Sequence, residues 1–162
     1  MALSELKALQ GNFCEAESLI TQSIALFNQG NDKAWKNQTL LTKGRIFLIA
    51  GNLEQAELSF RDCLNNAAKN EIQQDILGSS LFLAEINCEH DEFAEARQQL
   101  DKLREAVEIS YNQELQAHWR ELYGRVLLAE GNYPAAYVWL KQATTLWEKT
   151  RGRRNHTRYI LQ

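Results

Sequence analysis

Cys88, Glu89 and His90 stand together in INCEHDE (86–92), and His118 and Glu121 lie three apart in HWRE (118–121). These residue types hold zinc or move protons. A structural zinc site needs four ligands in tetrahedral array, usually from two spaced pairs. INCEHDE offers one short cluster, and Cys88 falls in a column with Leu48 and Leu128, which marks a core position. A di-metal bundle needs acidic partners from several helices at matching depth, and the chain supplies none. Nor is there a phosphate-binding glycine loop, a dinucleotide fingerprint, a nucleophile elbow or a zinc-protease helix. The expectation is a protein that is not an enzyme, with no catalytic residue, metal or cofactor.

Trp35, Trp119, Trp139 and Trp147, with Tyr111, Tyr123 and Tyr137, could in principle stack on nucleic-acid bases. They do not interleave with a basic stripe, and the reading is that they fill gaps between helices. The formal charge of −3 hides an asymmetry, because Lys149, Arg151, Arg153, Arg154 and Arg158 crowd the C-terminal stretch 149–162, which has no acid. The remainder carries 13 basic against 21 acidic residues, a net −8. An acidic body is a poor phosphate surface, so nucleic acid is not the expected partner. The tail reads as the solvated start of another helix, with a docking arm as the alternative. No apolar run of about 18 residues exists, and MALSELKALQ lacks the features of a signal peptide. A cytoplasmic location and no membrane contact are expected. Cys14, Cys63 and Cys88, odd in number and far apart, are expected to be buried free thiols.

What positions these residues is a repeat. Gly11, Gly51, Asp91 and Gly131 fall on one 40-residue grid. Two residues on come Phe13, Leu53, Phe93 and Tyr133, and three further Ala16, Ala56, Ala96 and Ala136. Ile20, Phe60, Leu100 and Leu140 follow one helical turn later, then Ser23, Cys63, Leu103 and Ala143. Upstream lie a small column (Ser4, Gly44, Ala84, Gly124) and an apolar one (Leu6, Ile46, Ile86, Val126). Each period holds two amphipathic helices. Gly51 suits a left-handed helix end. Asn12 with Glu15, and Asn52 with Gln55, have the spacing of a reciprocal capping box. The alanine and the small residue 12 before it mark close helix crossings, where a larger side chain would push the axes apart.

Two copies are clearest: Gly44, Phe47, Gly51, Leu53, Ala56, Phe60 and Gly124, Leu127, Gly131, Tyr133, Ala136, Leu140. Their pattern of small residue, large apolar, Gly-x-aromatic-x-x-Ala and a further apolar resembles the tetratricopeptide repeat over almost the whole chain. The period exceeds the usual value of about 34, the third copy has Ala84, Asn87 and Asp91 at key positions, and the closing proline is missing. Longer repeats of this kind resemble those in sensor regions of bacterial signal-transduction ATPases of the maltose-activator type. The resemblance implies an all-α, right-handed superhelical solenoid of antiparallel helix pairs. It would be a single domain over 1–162 of about three and a half to four repeats, with joints near 11, 51, 91 and 131. Both ends of the grid fall mid-repeat, which reads as a fragment of a longer array capable of self-association through its ends. A complete small protein with degenerate ends is the alternative.

In such stacks the first helix of each pair lines the concave face, and residues one period apart form ladders. The expected rungs are Arg45, Glu85 and Arg125, flanked by Gln38, His118 and Arg158 and by Ile49 and Glu89, with Leu41, Leu128 and Glu121 nearby. Relatives that bind acidic C-terminal peptides use asparagine and lysine in comparable columns, so that specificity does not transfer to Arg45 and Arg125. The expected function is a non-catalytic scaffold for protein or peptide ligands, the arginines gripping carboxylates or carbonyls. The alternative is a ligand-sensing segment of a transcription-regulating ATPase that binds a small effector. The alanine column gives a direct test. Ala56→Leu should overpack a crossing and cost about 1–3 kcal/mol in denaturant melts, with Ala136→Leu milder. Unchanged stability for Ala56→Leu would break the repeat alignment.

Overall fold

The structure is a computed structural model and describes residues 2–30 and 33–150. Among the described residues the regular elements are all α-helices: α1 (Ala2–Leu9), α2 (Phe13–Gly30), α3 (Lys33–Ile49), α4 (Leu53–Lys69), α5 (Gln73–Glu89), α6 (Phe93–Ile109), α7 (Gln113–Ala129) and α8 (Tyr133–Thr150). The sequence grid is thus written into the helix boundaries: α3, α5 and α7 begin and end one period apart, as do α4 and α6. No helix is long and apolar enough to cross a membrane among the described residues. The helices group into two compact units, Met1–Ile86 and Asn87–Gln162.

The joints follow from backbone chemistry. Gly51 takes φ 76°, and the Asn52 N–H donates to Phe47 O at 2.9 Å while Gly51 N–H donates to Leu48 O at 3.1 Å. This double bond of the Schellman type satisfies two orphan carbonyls of α3. The same pair of bonds closes the helix at Gly11–Asn12, Asp91–Glu92 and Gly131–Asn132, and also at Glu71–Ile72 between α4 and α5. Asp91 and Glu71 sit at φ 61° and 56° without being glycine.

Of the two expected capping boxes, the one at Asn52 forms by half and the one at Asn12 makes neither backbone bond. Asn52 Oδ1 accepts from Gln55 N–H at 3.2 Å, as expected. The reciprocal bond is not made, because the Asn52 N–H is already committed to Phe47 O. Glu15 turns elsewhere, accepting from the Asn12 side-chain amide at 2.7 Å and pairing with Lys7 at 3.1 Å.

In the first unit Ala8, Ala16, Ile20 and Ile46 form one core cluster, with Ile49 packed against it. Ala56, Phe60 and Ile86 form another, against which Leu41, Phe47, Leu48, Phe82 and Leu83 pack. Phe60 and Phe82 stack at 4.6 Å with rings 5° from parallel. Beside this apolar core lies a buried polar seam that the sequence reading did not anticipate. Asn37 on α3 is fully buried and donates from Nδ2 to Asp75 Oδ2 on α5 at 2.9 Å. Gln38 Nε2 donates to Asp75 Oδ1 at 3.1 Å, and the Asn66 amide on α4 donates to Asn37 Oδ1. The Cys63 thiol donates to the Asn37 carbonyl at 3.4 Å, and Ser79 Oγ to the Asp75 carbonyl at 2.6 Å. Burial pushes the Cys63 thiol up from 9.0 to about 11, so it stays protonated and inert at neutral pH. Cys63 and Cys88 are buried as expected, but Cys14 is exposed, near the start of α2 where the helix faces water.

The second unit centres on Trp119, 1% exposed, whose indole N–H donates to Leu100 O at 2.8 Å. Tyr123 stacks on it at 4.7 Å, and Trp139 meets both rings edge-on at 5.4 and 5.6 Å. Arg104 lies over Trp119 and Trp139, and Arg97 over Tyr123. These aromatics fill the space between helices, as expected. Trp35, Tyr111 and Tyr137 do not: they are 48%, 89% and 66% exposed. Tyr111 sits in the joint between α6 and α7, at φ 53°.

The small column has a definite partner. A Cβ added at Gly44 would lie 2.4 Å from Phe60 Cε1, and one at Gly124 would lie 2.6 Å from Leu140 Cγ. The glycine is thus a seat for the residue four after the alanine, not for the alanine itself. Gly44→Ala gains about 1 kcal/mol of helix propensity but forces a ring that is itself stacked and buried, at a cost of about 1–3 kcal/mol. The variant should melt below the parent. Gly51→Ala meets no atom within 4 Å and should lose about 1–2 kcal/mol through its left-handed backbone alone, a loss that Gly51→Asn largely avoids. A Gly44→Ala variant as stable as the parent would show that the ring has room.

Candidate binding face

The arginines of the anticipated ladder lie on first helices, and each is held by an acid on a neighbouring first helix. In the first unit Arg45 on α3 pairs with Glu5 on α1 at 2.8 Å. The two positions are one period apart, so equivalent points on adjacent helices face each other. Arg45 also lies 5.9 Å from the centre of the Phe82 ring, a cation–π contact. Its side chain is 19% exposed and that of Glu5 20%. Glu5 belongs to the ladder column and was missed, although its place in the grid was readable.

In the second unit Arg125 on α7 pairs with Glu89, at the end of α5, at 2.9 Å. The acid stands one turn beyond the ladder column and thus reaches Arg125 diagonally. Both side chains are partly exposed, 25% and 35%. The pair borders an open groove of about 550 Å³, lined also by Cys88, Asp91, Phe93 and Leu128. Leu128 is 41% exposed.

The other expected residues are placed differently. Glu85, the anticipated middle rung, is 5% exposed and not a surface charge. Gln38 is spent on Asp75. Leu41 and Ile49 are half-buried and packed on the two core clusters, so they offer a ligand little apolar surface. Glu121 accepts the Trp147 indole N–H at 2.8 Å, which ties α7 to α8. His118 is half-buried on α7. Arg158 lies outside the described residues, as does the tail from 151 onward. Cys88 points inward at 2% exposure while Glu89 and His90 are exposed, so INCEHDE does not converge. Among the described residues no three His, Cys, Asp or Glu side chains are grouped to hold a metal ion.

No family model, curated protein or solved structure matches the chain. An exposed ion pair has a small net worth, up to about 1 kcal/mol, because water solvates both charges nearly as well. Arg125, partly exposed beside the groove, can exchange Glu89 for another carboxylate, and its planar fork suits that role. Arg45, less exposed and also packed on Phe82, is held more firmly.

A double-mutant cycle should separate the two pairs. Glu89→Ala with Arg125→Ala should show a coupling of about 0.2–1 kcal/mol that shrinks with added salt. Glu5→Ala with Arg45→Ala should couple more strongly. Equal couplings would remove the distinction between an exchangeable and a fixed arginine.

Proposed function

We propose that the chain is a non-catalytic scaffold of the tetratricopeptide type that binds protein or peptide ligands on the faces of its first helices. The helix pairs, on this reading, stack as a right-handed superhelical solenoid. The repetition of one helix pair at a fixed period, in sequence columns and helix boundaries alike, supports the architecture. A stacked array offers a continuous surface that no single pair has.

The observation that carries the binding role is the Arg125–Glu89 pair at the edge of an open groove, next to exposed Leu128 and to Phe93. A charge held in a partly exposed pair, beside apolar surface in a concavity, is the combination that recognises a carboxylate adjoining an apolar side chain. Arg125 and Leu128 lie three apart on α7 and therefore project from the same side of the helix. The ligand chemistry inferred is a peptide segment with Asp or Glu close to Leu, Ile or Phe.

Selection from a displayed library of random peptides tests this reading. Enriched peptides should carry that pairing, and Arg125→Gln should weaken them by roughly tenfold, about 1.4 kcal/mol, while the melting temperature stays close to the parent's. Failure to enrich any sequence, or peptides indifferent to both Arg125→Gln and Leu128→Ser, would overturn it.

A further inference from the structure

The polar seam of the first unit has a property that the binding face does not explain. Asn37, Asn66 and Asp75 come from three successive helices, α3, α4 and α5, and join through side-chain hydrogen bonds. One period on, their positions are Leu77, Ala106 and Leu115; those of Cys63 and Ser79 become Leu103 and Trp119. The polar set thus gives way to an entirely apolar one in the next copy of the same columns.

A repeating chain has a problem that other folds lack. Its alanine, apolar and small columns recur in every period, so a helix displaced by one period meets nearly the same packing surface. The same holds for a helix borrowed from a second copy of the chain. Apolar contacts are non-directional and discriminate poorly among such arrangements. Hydrogen-bonding groups discriminate well, because each one buried without a partner loses its water and gains nothing.

We propose that the Asn37–Asn66–Asp75 network is a register key, which makes α3, α4 and α5 pair with one another and excludes both displaced pairing and exchange of helices between two chains. In the native arrangement Asp75 accepts from Asn37 and Gln38, while Asn37 both donates to Asp75 and accepts from Asn66. If α5 were replaced by α7, Asn37 would face Leu115 instead of Asp75. If α4 were replaced by α6, Asn37 Oδ1 would face Ala106. Each of these displacements strands a buried amide or carboxylate, whereas the native arrangement bonds all three side chains.

The full chain tests the proposal when each member takes the residue found one period on: Asn37→Leu, Asn66→Ala and Asp75→Leu together. After refolding from denaturant at several protein concentrations, the parent should give one species by size exclusion with light scattering. The triple variant should keep its helical circular dichroism yet refold to a mixture, with a dimer fraction rising with concentration and several-fold above the parent's. A triple variant that refolds to one monomeric species, with a single set of amide resonances, would overturn the key. Should it fail to fold, a pair of charge-exchange variants decides. Asn37→Asp alone opposes two carboxylates and should give the mixed products. Adding Asp75→Asn restores donors and acceptors between these two positions with the roles reversed, and should restore the single species. A double exchange no better than Asn37→Asp alone would equally overturn the proposal.

Discussion

The closeness of helix to helix at the small-residue column is the constraint on which the remaining structure depends. Gly44 has no side chain because the Phe60 ring occupies that space, and Gly124 stands in the same relation to Leu140. That approach sets the separation of the two helices in a pair, and the separation in turn governs what reaches across. It allows Phe60 to stack flat on Phe82. A bulkier residue in the column would move the axes apart and loosen the contacts downstream together. A glycine inside a helix is unfavourable by itself, so packing must outweigh propensity here.

Charge is arranged around this packing and does not create it. The anticipated ladder of alternating signs resolves into two separate devices. One arginine is clamped by an acid one period away and backed by an aromatic ring; the other is shared diagonally at the surface. The acid expected between them is buried. A column of charges in a repeat is thus not a uniform surface, because each rung answers to its own depth.

The periodic part of the fold was legible. Columns of alanine and of glycine report backbone needs and close crossings, and these depend on residue size, which a sequence states directly. Depth was harder to read. Leu41 and Ile49 share the helix side of the ladder yet pack on the core, and Cys14 is exposed where a buried thiol was expected. The incomplete capping boxes at Asn12 and Asn52 show competition: the same N–H serves the preceding helix end, and the sequence motif does not reveal which bond wins. The polar seam was missed because Asn37 and Asp75 are individually ordinary. Only their joint burial makes them unusual, and burial is a property of three helices at once.

The joints carry a consequence for where change can accumulate. Each described joint is as short as the stretch from Ala50 to Asn52, and two of its N–H groups are commonly committed to the helix just ended. In most folds novelty is gathered in loops, which can lengthen and vary without disturbing the scaffold. Among the described residues there is almost no loop to vary. Diversification is forced onto solvent-facing helix positions, where it must leave the repeating columns intact. Descendants of such a chain would therefore differ in stripes: conserved bands of small and apolar residues, separated by bands in which side chains turn over freely.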